Sequence, residues 1–129
     1  MKILVVEDNP TNMKLICDLL TRAGYTVLEA IDADSGIRMA RQDAPDLILM
    51  DIQLPGMDGL TATRMLKDEE KTKDIPVIAL TAFAMKGDEE RMLATGGCDD
   101  YVAKPIRYKE FLKTVASVLK EEGKNGVRS

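Results

Sequence analysis

The chain has 129 residues, with 45% apolar and 31% charged side chains, which is typical of one globular domain. A mean hydropathy of -0.14 without a long apolar stretch argues against membrane insertion, and Met1-Lys2 before a short apolar run argues against a signal peptide, so we expect a cytoplasmic protein. A net charge of -4 with scattered Lys and Arg argues against nucleic acid as the main partner.

The first half of the chain alternates short apolar runs with helical patterns. After the strand at residues 3–6, Asn9-Pro10 predicts a helix start and Gly24 predicts its end. Apolar residues between them fall on one face at helical spacing: Met13, Ile16, Cys17, Leu20 and Ala23. A strand at 26–30, a helix at 34–43, a strand at 47–50 and a helix from the loop at 54–59 to about Glu70 follow.

The second half continues the same alternation. We predict a strand at 77–80, a helix around 88–94, a strand at 101–103, a helix near 108–121 and a short polar tail at 123–129. Continuous apolar runs separated by helices indicate an α/β fold with a five-stranded parallel sheet covered on both faces. We therefore expect one domain at residues 1–122, followed by the tail and no output domain.

Residues suited to phosphate and metal chemistry directly follow four of the predicted strands. They are Glu7, Asp8, Asp51, Thr81 and Lys104. The carboxyl ends of parallel strands line one crevice, so these residues can converge there. Such a site requires the first, third, fourth and fifth strands to be neighbours, which places the second strand at an edge.

The acidic residues of this group predict a site for a divalent cation. Three carboxylates in one crevice repel each other, and Mg2+ prefers carboxylate oxygens and offsets that repulsion. We expect Asp8, Asp51 and the backbone carbonyl of Gln53 as ligands, with Glu7 bound through water. Taken alone, Asp8 and Asn9 can equally be interpreted as caps of the first helix.

Asp51 lies at a strand end, where a carboxylate nucleophile can form an aspartyl phosphate. Phosphoryl transfer needs mainly positioning and charge stabilisation, which Thr81 as a hydroxyl donor and Lys104 as a cation would supply. Individually, Asp51 can be only a metal ligand, Thr81 a helix cap and Lys104 a solvated loop residue. The Lys104-Pro105 bond can be cis at modest cost, which would turn Lys104 toward the crevice.

Histidine is absent from the chain, which removes the usual general base, the commonest zinc ligand and any histidine phosphodonor. Phosphate from histidine must then come from another protein. Cys17 and Cys98 are too few and too far apart for a zinc pattern or a disulfide framework, and we interpret both as small buried apolar residues.

Several motifs together resemble the receiver domain of two-component response regulators. They are E-D-N-P at 7–10, D-L-I-L-M-D-I-Q-L-P at 46–55, M-D-G at 57–59, T-A-F-A at 81–84 and K-P at 104–105. The resemblance covers nearly the whole chain, and the stretch at 81–91 is similar to that of single-domain cell-cycle receivers. It implies a flavodoxin-like sheet of order 2-1-3-4-5 with five helices.

The resemblance also implies an activity, which is transfer of phosphate from the phosphohistidine of a histidine kinase or histidine phosphotransfer protein. It implies Asp51 as the phosphoacceptor, Glu7 and Asp8 as the acidic pair and Thr81 as the switch hydroxyl. Lys104 would contact the phosphate, and Tyr101 would be the rotating aromatic. The chain would catalyse its own phosphorylation and dephosphorylation without turning over external substrates.

We expect phosphorylation to alter a protein-binding face. If Thr81 moves toward the phosphate, Tyr101 can swing inward and change the surface of the fourth helix, fifth strand and fifth helix. Met85, Met92 and Tyr108 would lie on that face, although methionines at this spacing are more often core residues. Tyr101 can equally be an ordinary half-buried strand residue.

Phe83 departs from what fast hydrolysis requires, since a bulky apolar side chain neither leaves room for water nor orients it. Gln53 is the polar alternative for orienting that water. We therefore predict slow loss of phosphate, and a Phe83→Glu variant that loses phosphate no faster would contradict this prediction.

Three other functions remain open from the residues. A phosphatase of the haloacid dehalogenase type needs an acid/base aspartate two residues after the nucleophile, where this chain has Gln53. A flavodoxin-like cofactor carrier needs a first loop that cradles phosphate, whereas Glu7-Asp8 would repel it. A phosphate-independent binding module of the same fold is the third.

Overall fold

The computed structural model describes residues 1–82 and 97–127, with side chains described through residue 119. Its strands are β1 (Lys2–Val6), β2 (Thr26–Ala30), β3 (Leu47–Asp51), β4 (Val77–Thr81) and β5 (Asp100–Ala103). They form one sheet of order β2-β1-β3-β4-β5, and every pairing is parallel. This order confirms the predicted topology, including the edge position of β2.

Four helices lie in the described residues: α1 (Pro10–Arg22), α2 (Ala33–Asp43), α3 (Gly59–Lys67) and the C-terminal helix (Tyr108–Val127). Asn9, Asp32 and Asp58 cap the first three, because each side chain accepts a backbone N–H of the first helical turn. Pro10 occupies the first position of α1, where a missing N–H costs nothing. The predicted start of α1 is thereby confirmed.

Alternate residues of the inner strands point to opposite faces of the sheet, and both faces are buried. Ile3 and Val5 belong to a core with α1 and the C-terminal helix, whereas Leu4 and Val6 belong to a core with α2 and α3. The sheet is therefore the middle of three layers. This arrangement explains why its strands are continuous apolar runs and not alternating ones.

Some predicted boundaries were wrong by a few residues. Asp51 and Thr81 are the last residues of β3 and β4 and do not follow them, because the ladder continues through Ile52 N–H to Leu80 O and Lys104 N–H to Thr81 O. Ala23, placed on the apolar face of α1, is exposed because it caps the helix beyond its last buried turn.

The predicted end of α3 at Glu70 was also wrong, since the helix ends at Lys67. The buried Thr72 hydroxyl donates to the carbonyl of Leu66 at 2.6 Å, and Glu69 N–H also bonds that carbonyl, which tightens the last turn. Polar side chains after the helix thus stop it before the predicted residue.

The C-terminal helix continues to Val127, beyond the predicted end at Glu121 and into the segment predicted to be a polar tail. It packs Phe111, Val115 and Leu119 against the sheet. No helix in the described part of the chain has the length and apolarity needed to cross a bilayer. The predicted helix around 88–94, with Phe83, Met85 and Met92, lies outside the described residues.

Candidate functional site

The carboxyl ends of β1, β3, β4 and β5 bring the predicted site residues to one edge of the sheet. Asp51 ends β3 in register with Leu80, and Thr81 ends β4 in register with Ala103. Glu7 N–H donates to Ala30 O at 3.0 Å, so the backbone after β1 stays aligned with the sheet. The order of the strands therefore positions the side chains that follow them.

Lys104 lies between two buried carboxylates. Its Nζ is 3.1 Å from Glu7 Oε1 and 3.2 Å from Asp51 Oδ2. The side chains of Glu7 and Asp51 are 0% and 3% exposed, and the side chain of Lys104 is 17% exposed. The Lys104-Pro105 peptide bond is cis, the isomer that the sequence allowed. In the part of the chain that the structure describes, Lys104 is the cation that contacts these two carboxylates.

Backbone amides hold the outer oxygen of each buried carboxylate. Asn9 N–H donates to Glu7 Oε2 at 3.1 Å, and Gln53 N–H donates to Asp51 Oδ1 at 2.9 Å. Among the described residues, Glu7 Oε1 is a buried oxygen without a hydrogen-bond partner, although it is ion-paired with Lys104. A buried oxygen in this condition is unusual and can mark a ligand position.

Among the residues that the structure describes, negative charge exceeds positive charge at this edge. Glu7, Asp8 and Asp51 each offer a carboxylate oxygen, and these oxygens lie within 4.8 Å of one another. Burial is the main cause that raises the pKa of Glu7, and Asp51 raises it further. Burial works against the charge of Lys104, but Asp51 and Glu7 outweigh it and raise the pKa of its ammonium group.

The donor set fits a hard divalent cation. It consists of oxygen ligands, it includes the buried Oε1 of Glu7, and it carries more negative charge than Lys104 neutralises. Asp8 is exposed, so it can reach a cation that keeps part of its water shell. Asn9, and not Asp8, caps α1. The Asp8 carboxylate is therefore not required for capping.

The other residues predicted for the site or the binding face differ in their solvent exposure. Thr81 is fully buried at the end of β4. Tyr101 is half-buried on β5, beside the core that α2 and α3 cover. Gln53 is exposed, as is Tyr108 at the start of the C-terminal helix. The sequence prediction for Phe83 lies outside the described residues.

Two contributions to the site were not predicted. The amides of Asn9 and Gln53 orient Glu7 and Asp51, and each lies two residues after the carboxylate it holds. Gly59 lies against the backbone of Asp51, although the sequence analysis used it only as part of the M-D-G motif. A carboxylate followed by a turn is the sequence pattern from which the amide contacts could have been predicted. No local pattern predicts the Gly59 contact.

The two cysteines are free thiols outside this centre. Cys98 is buried as predicted, whereas Cys17 is only half-buried and packs against the core that α1 and the C-terminal helix cover. Burial, followed by Glu29, raises the pKa of Cys17 to about 11, and burial also raises the pKa of Cys98. Both thiols therefore stay protonated at neutral pH, which makes them poor nucleophiles.

The sequence pattern of the response regulator receiver domain matches residues 3–116. The chain belongs to that family. The polar-differentiation response regulator DivK of Brucella ovis is 50% identical over 117 residues, which cover 91% of this chain and 94% of that protein. The predicted family is confirmed.

Solved structures give the same answer for the fold. The receiver domain of the sensor histidine kinase PA1611 from Pseudomonas aeruginosa PAO1 superposes with a TM-score of 0.84 at 39% identity, covering 92% of this chain and 97% of that chain. That structure has a magnesium ion coordinated in its active site cleft. The chemotaxis response regulator CheY4 of Vibrio cholerae has a TM-score of 0.85 at 25% identity, covering 91% and 97%. The predicted CheY-like fold is confirmed.

Proposed function

We propose that this receiver domain accepts a phosphoryl group on Asp51 in a Mg2+-dependent reaction and signals through altered protein binding. The observation that carries the proposal is the setting of Asp51. Its carboxylate is buried at a strand end, one oxygen faces Lys104 at 3.2 Å, and the other accepts the Gln53 amide. A nucleophile needs such fixed orientation together with nearby positive charge.

The transfer forms one bond and breaks one. An Asp51 carboxylate oxygen attacks the phosphorus of a phosphohistidine, the P–N bond breaks, and the imidazole leaves with that electron pair and takes up a proton. Lys104 lies where it can balance charge on the transferred oxygens, and the buried Thr81 hydroxyl would donate to one of them. The printed sequence contains no histidine, so the donor is a histidine kinase or a histidine phosphotransfer protein.

Asp8, Asp51 and the backbone carbonyl of Gln53 would hold Mg2+, with Glu7 bound through water. When bound, the cation neutralises the carboxylates and the oxygens of the incoming phosphoryl group. The oxygen cluster and the magnesium ion in the cleft of the Pseudomonas receiver domain support this assignment. The chain itself supplies the orientation, since the amides of Asn9 and Gln53 hold the carboxylates.

The phosphorylated state would be read by another protein. Movement of Thr81 toward the phosphate would shift the half-buried Tyr101, which lies on the strand next to it. We place the binding surface on the helix predicted around residues 88–94, on β5 and on the C-terminal helix. Gln53 and Phe83 would make the loss of phosphate slow. Two free thiols suit the reducing cytoplasm, where we place this reaction.

The test is to incubate the protein with acetyl phosphate, with and without Mg2+, and to measure its mass. We expect one added phosphoryl group on the wild type with Mg2+, little without it, and none on Asp51→Asn. Asp99→Asn is the matched control, because it alters a carboxylate at the opposite edge of the sheet and should leave phosphorylation intact. An unmodified wild type would favour a phosphate-independent binding module, and equal modification of Asp51→Asn would disprove the assigned acceptor.

A further inference from the structure

Gly59 is the first residue of α3, and it lies directly against the backbone at the end of β3. A Cβ atom at this position would be 2.7 Å from Ile52 Cα and 2.8 Å from the Asp51 carbonyl carbon, and closer still to the Asp51 carbonyl oxygen. All three are backbone atoms, so they cannot rotate away as the end of a side chain can. The space for α3 beside Asp51 therefore exists only because residue 59 lacks a side chain.

Gly36 makes a useful contrast. A Cβ atom there would be 2.8 Å from Val6 Cγ2, which is a side-chain methyl group and not part of the main chain. Of the glycines whose surroundings the structure describes, Gly59 alone would meet only backbone within contact distance. Any residue larger than glycine at 59 must therefore displace the main chain of β3 or the start of α3.

Gly59 makes one hydrogen bond to the end of β3 and another within α3. Its N–H donates to Ile52 O at 3.2 Å, and its carbonyl accepts the hydroxyl of Thr63 at 2.8 Å. Thr63 is fully buried, so its hydroxyl cannot exchange this partner for bulk water. The first turn of α3 is thus tied to the residue that follows Asp51.

The segment that Gly59 contacts is also the segment that orients the Asp51 carboxylate. The Gln53 amide donates to Asp51 Oδ1 at 2.9 Å, one residue beyond the Ile52 carbonyl to which Gly59 is bonded. A shift of the backbone at Asp51 and Ile52 would move the carboxylate and its orienting amide relative to Lys104. Small displacements of this kind have large effects on metal affinity and transfer rate.

We propose that Gly59, held by Thr63, is a positioning residue for the Asp51 site: its missing side chain lets α3 brace the main chain that aims the carboxylate. The proposal rests on the proposed function, since it takes Asp51 as phosphoacceptor and metal ligand. Gly59 itself touches neither the metal nor the phosphoryl group.

The test compares Gly59→Ala with Leu66→Ala. Leu66 is a buried residue near the opposite end of the same helix, so its truncation destabilises α3 without a clash at the site. Both variants are studied at a temperature where urea unfolding shows that each is folded. The readouts are Mn2+ affinity by electron paramagnetic resonance, the phosphorylation rate with acetyl phosphate at saturating Mg2+, and the amide resonance of Gln53 in the metal-free protein.

We expect Gly59→Ala to bind Mn2+ about tenfold more weakly and to be phosphorylated about a hundredfold more slowly. Its Gln53 amide resonance should move, whereas Leu66→Ala should keep all three properties near those of the wild type. Equal losses in both variants, or normal metal binding and transfer in Gly59→Ala, would overturn the proposal. Failure of the wild type to accept phosphate would instead refute the proposed function.

If Gly59→Ala does not fold, variants of Thr63 test the proposal in its place. Thr63→Val removes the hydroxyl bond to Gly59 O at nearly constant volume, and Thr63→Ser keeps the hydroxyl. We expect the valine variant to lose Mn2+ affinity and transfer rate by about threefold, with rescue in the serine variant. Identical behaviour of the two variants would also overturn the proposal.

Discussion

Two lysine–carboxylate clusters lie at opposite ends of the strands of this sheet, one at the amino edge and one at the carboxyl edge. The amino-edge cluster is Lys67 with Asp99, and the carboxyl-edge cluster is Lys104 with Glu7, Asp8 and Asp51. Lys67 Nζ donates to Asp99 Oδ2 and to Ile75 O, each at 2.9 Å, and Asp99 Oδ2 also accepts Val77 N–H at 2.8 Å. One cation faces one anion there, and backbone groups complete the cluster.

The carboxyl-edge cluster has the same chemical groups in different proportions. Within residues 1–82 and 97–127, one ammonium group faces three carboxylates, and two of these are almost fully buried. Asp99, by contrast, is 44% exposed, so water shares its charge. A balanced, partly solvated pair joins elements of the fold, whereas an unbalanced buried group carries a cost that a bound cation can relieve. The comparison thus indicates a structural cluster at the amino edge and a candidate cation site at the carboxyl edge.

The largest expected effect comes from removing each lysine. Lys104→Met leaves two buried carboxylates without their cation, so we expect the metal-free protein to lose about 3 kcal/mol of unfolding free energy. In Lys67→Met, the half-exposed Asp99 still accepts the Val77 N–H, so we expect a loss of only about 1 kcal/mol of unfolding free energy. Urea unfolding followed by circular dichroism measures both values.

Magnesium sharpens this test. Adding Mg2+ should stabilise Lys104→Met more than it stabilises the wild type, because the cation takes over the charge of the lost ammonium group. Lys67→Met keeps the carboxyl-edge cluster and should gain only as much from Mg2+ as the wild type does. An equal gain in both variants would contradict the distinction between the two clusters.

A smaller effect is expected when each cluster loses a carboxylate charge. Glu7→Gln removes excess negative charge while its amide oxygen still accepts Asn9 N–H, so the metal-free protein should gain about 1 kcal/mol. Its Mg2+ affinity should fall about tenfold, measured by calorimetric titration. Asp99→Asn should lose stability and keep its Mg2+ affinity. A Glu7→Gln variant that is destabilised as much as Asp99→Asn would show that the Glu7 charge is not in excess.

The smallest effect is a pH dependence in the metal-free protein. Burial is the main cause that raises the pKa of Glu7 above its usual 4.5, so the folded protein holds this proton more tightly than the unfolded chain. The resulting stability is present below about pH 4.5 and is lost as the pH rises through the folded pKa. Urea midpoints in EDTA should show this fall in the wild type and not in Glu7→Gln. Superimposable profiles would count against a buried proton on Glu7.

Lys104 adds a second pH window at the alkaline end. Burial lowers the pKa of its ammonium group, but Asp51 and Glu7 outweigh burial and raise it above its usual 10.5. Its contribution is therefore present at neutral pH and is lost only as the pH rises through the raised pKa. This loss lies above pH 10.5, so at lower pH the difference between the wild type and Glu7→Gln reports on Glu7.

Local patterns predicted the elements well because their causes are local. Residues 47–50 are all apolar and fully buried, and a run without polar residues indicates a strand covered on both faces. Asn9-Pro10 predicted the start of α1 because capping involves only neighbouring amides. The ends of α3 and of the C-terminal helix were harder, since the former depends on how the chain folds back through Thr72.

The sequence by itself determined which residue types end the strands, and therefore which chemistry is available at the carboxyl edge. The tertiary structure alone decided that Lys104 contacts both Glu7 and Asp51, that Lys67 pairs with Asp99 at the opposite edge, and that Gly59 lies against the backbone of Asp51. The physical reason is distance. A strand end is set by neighbouring residues, whereas the balance of charge around it depends on how separate elements pack together in space.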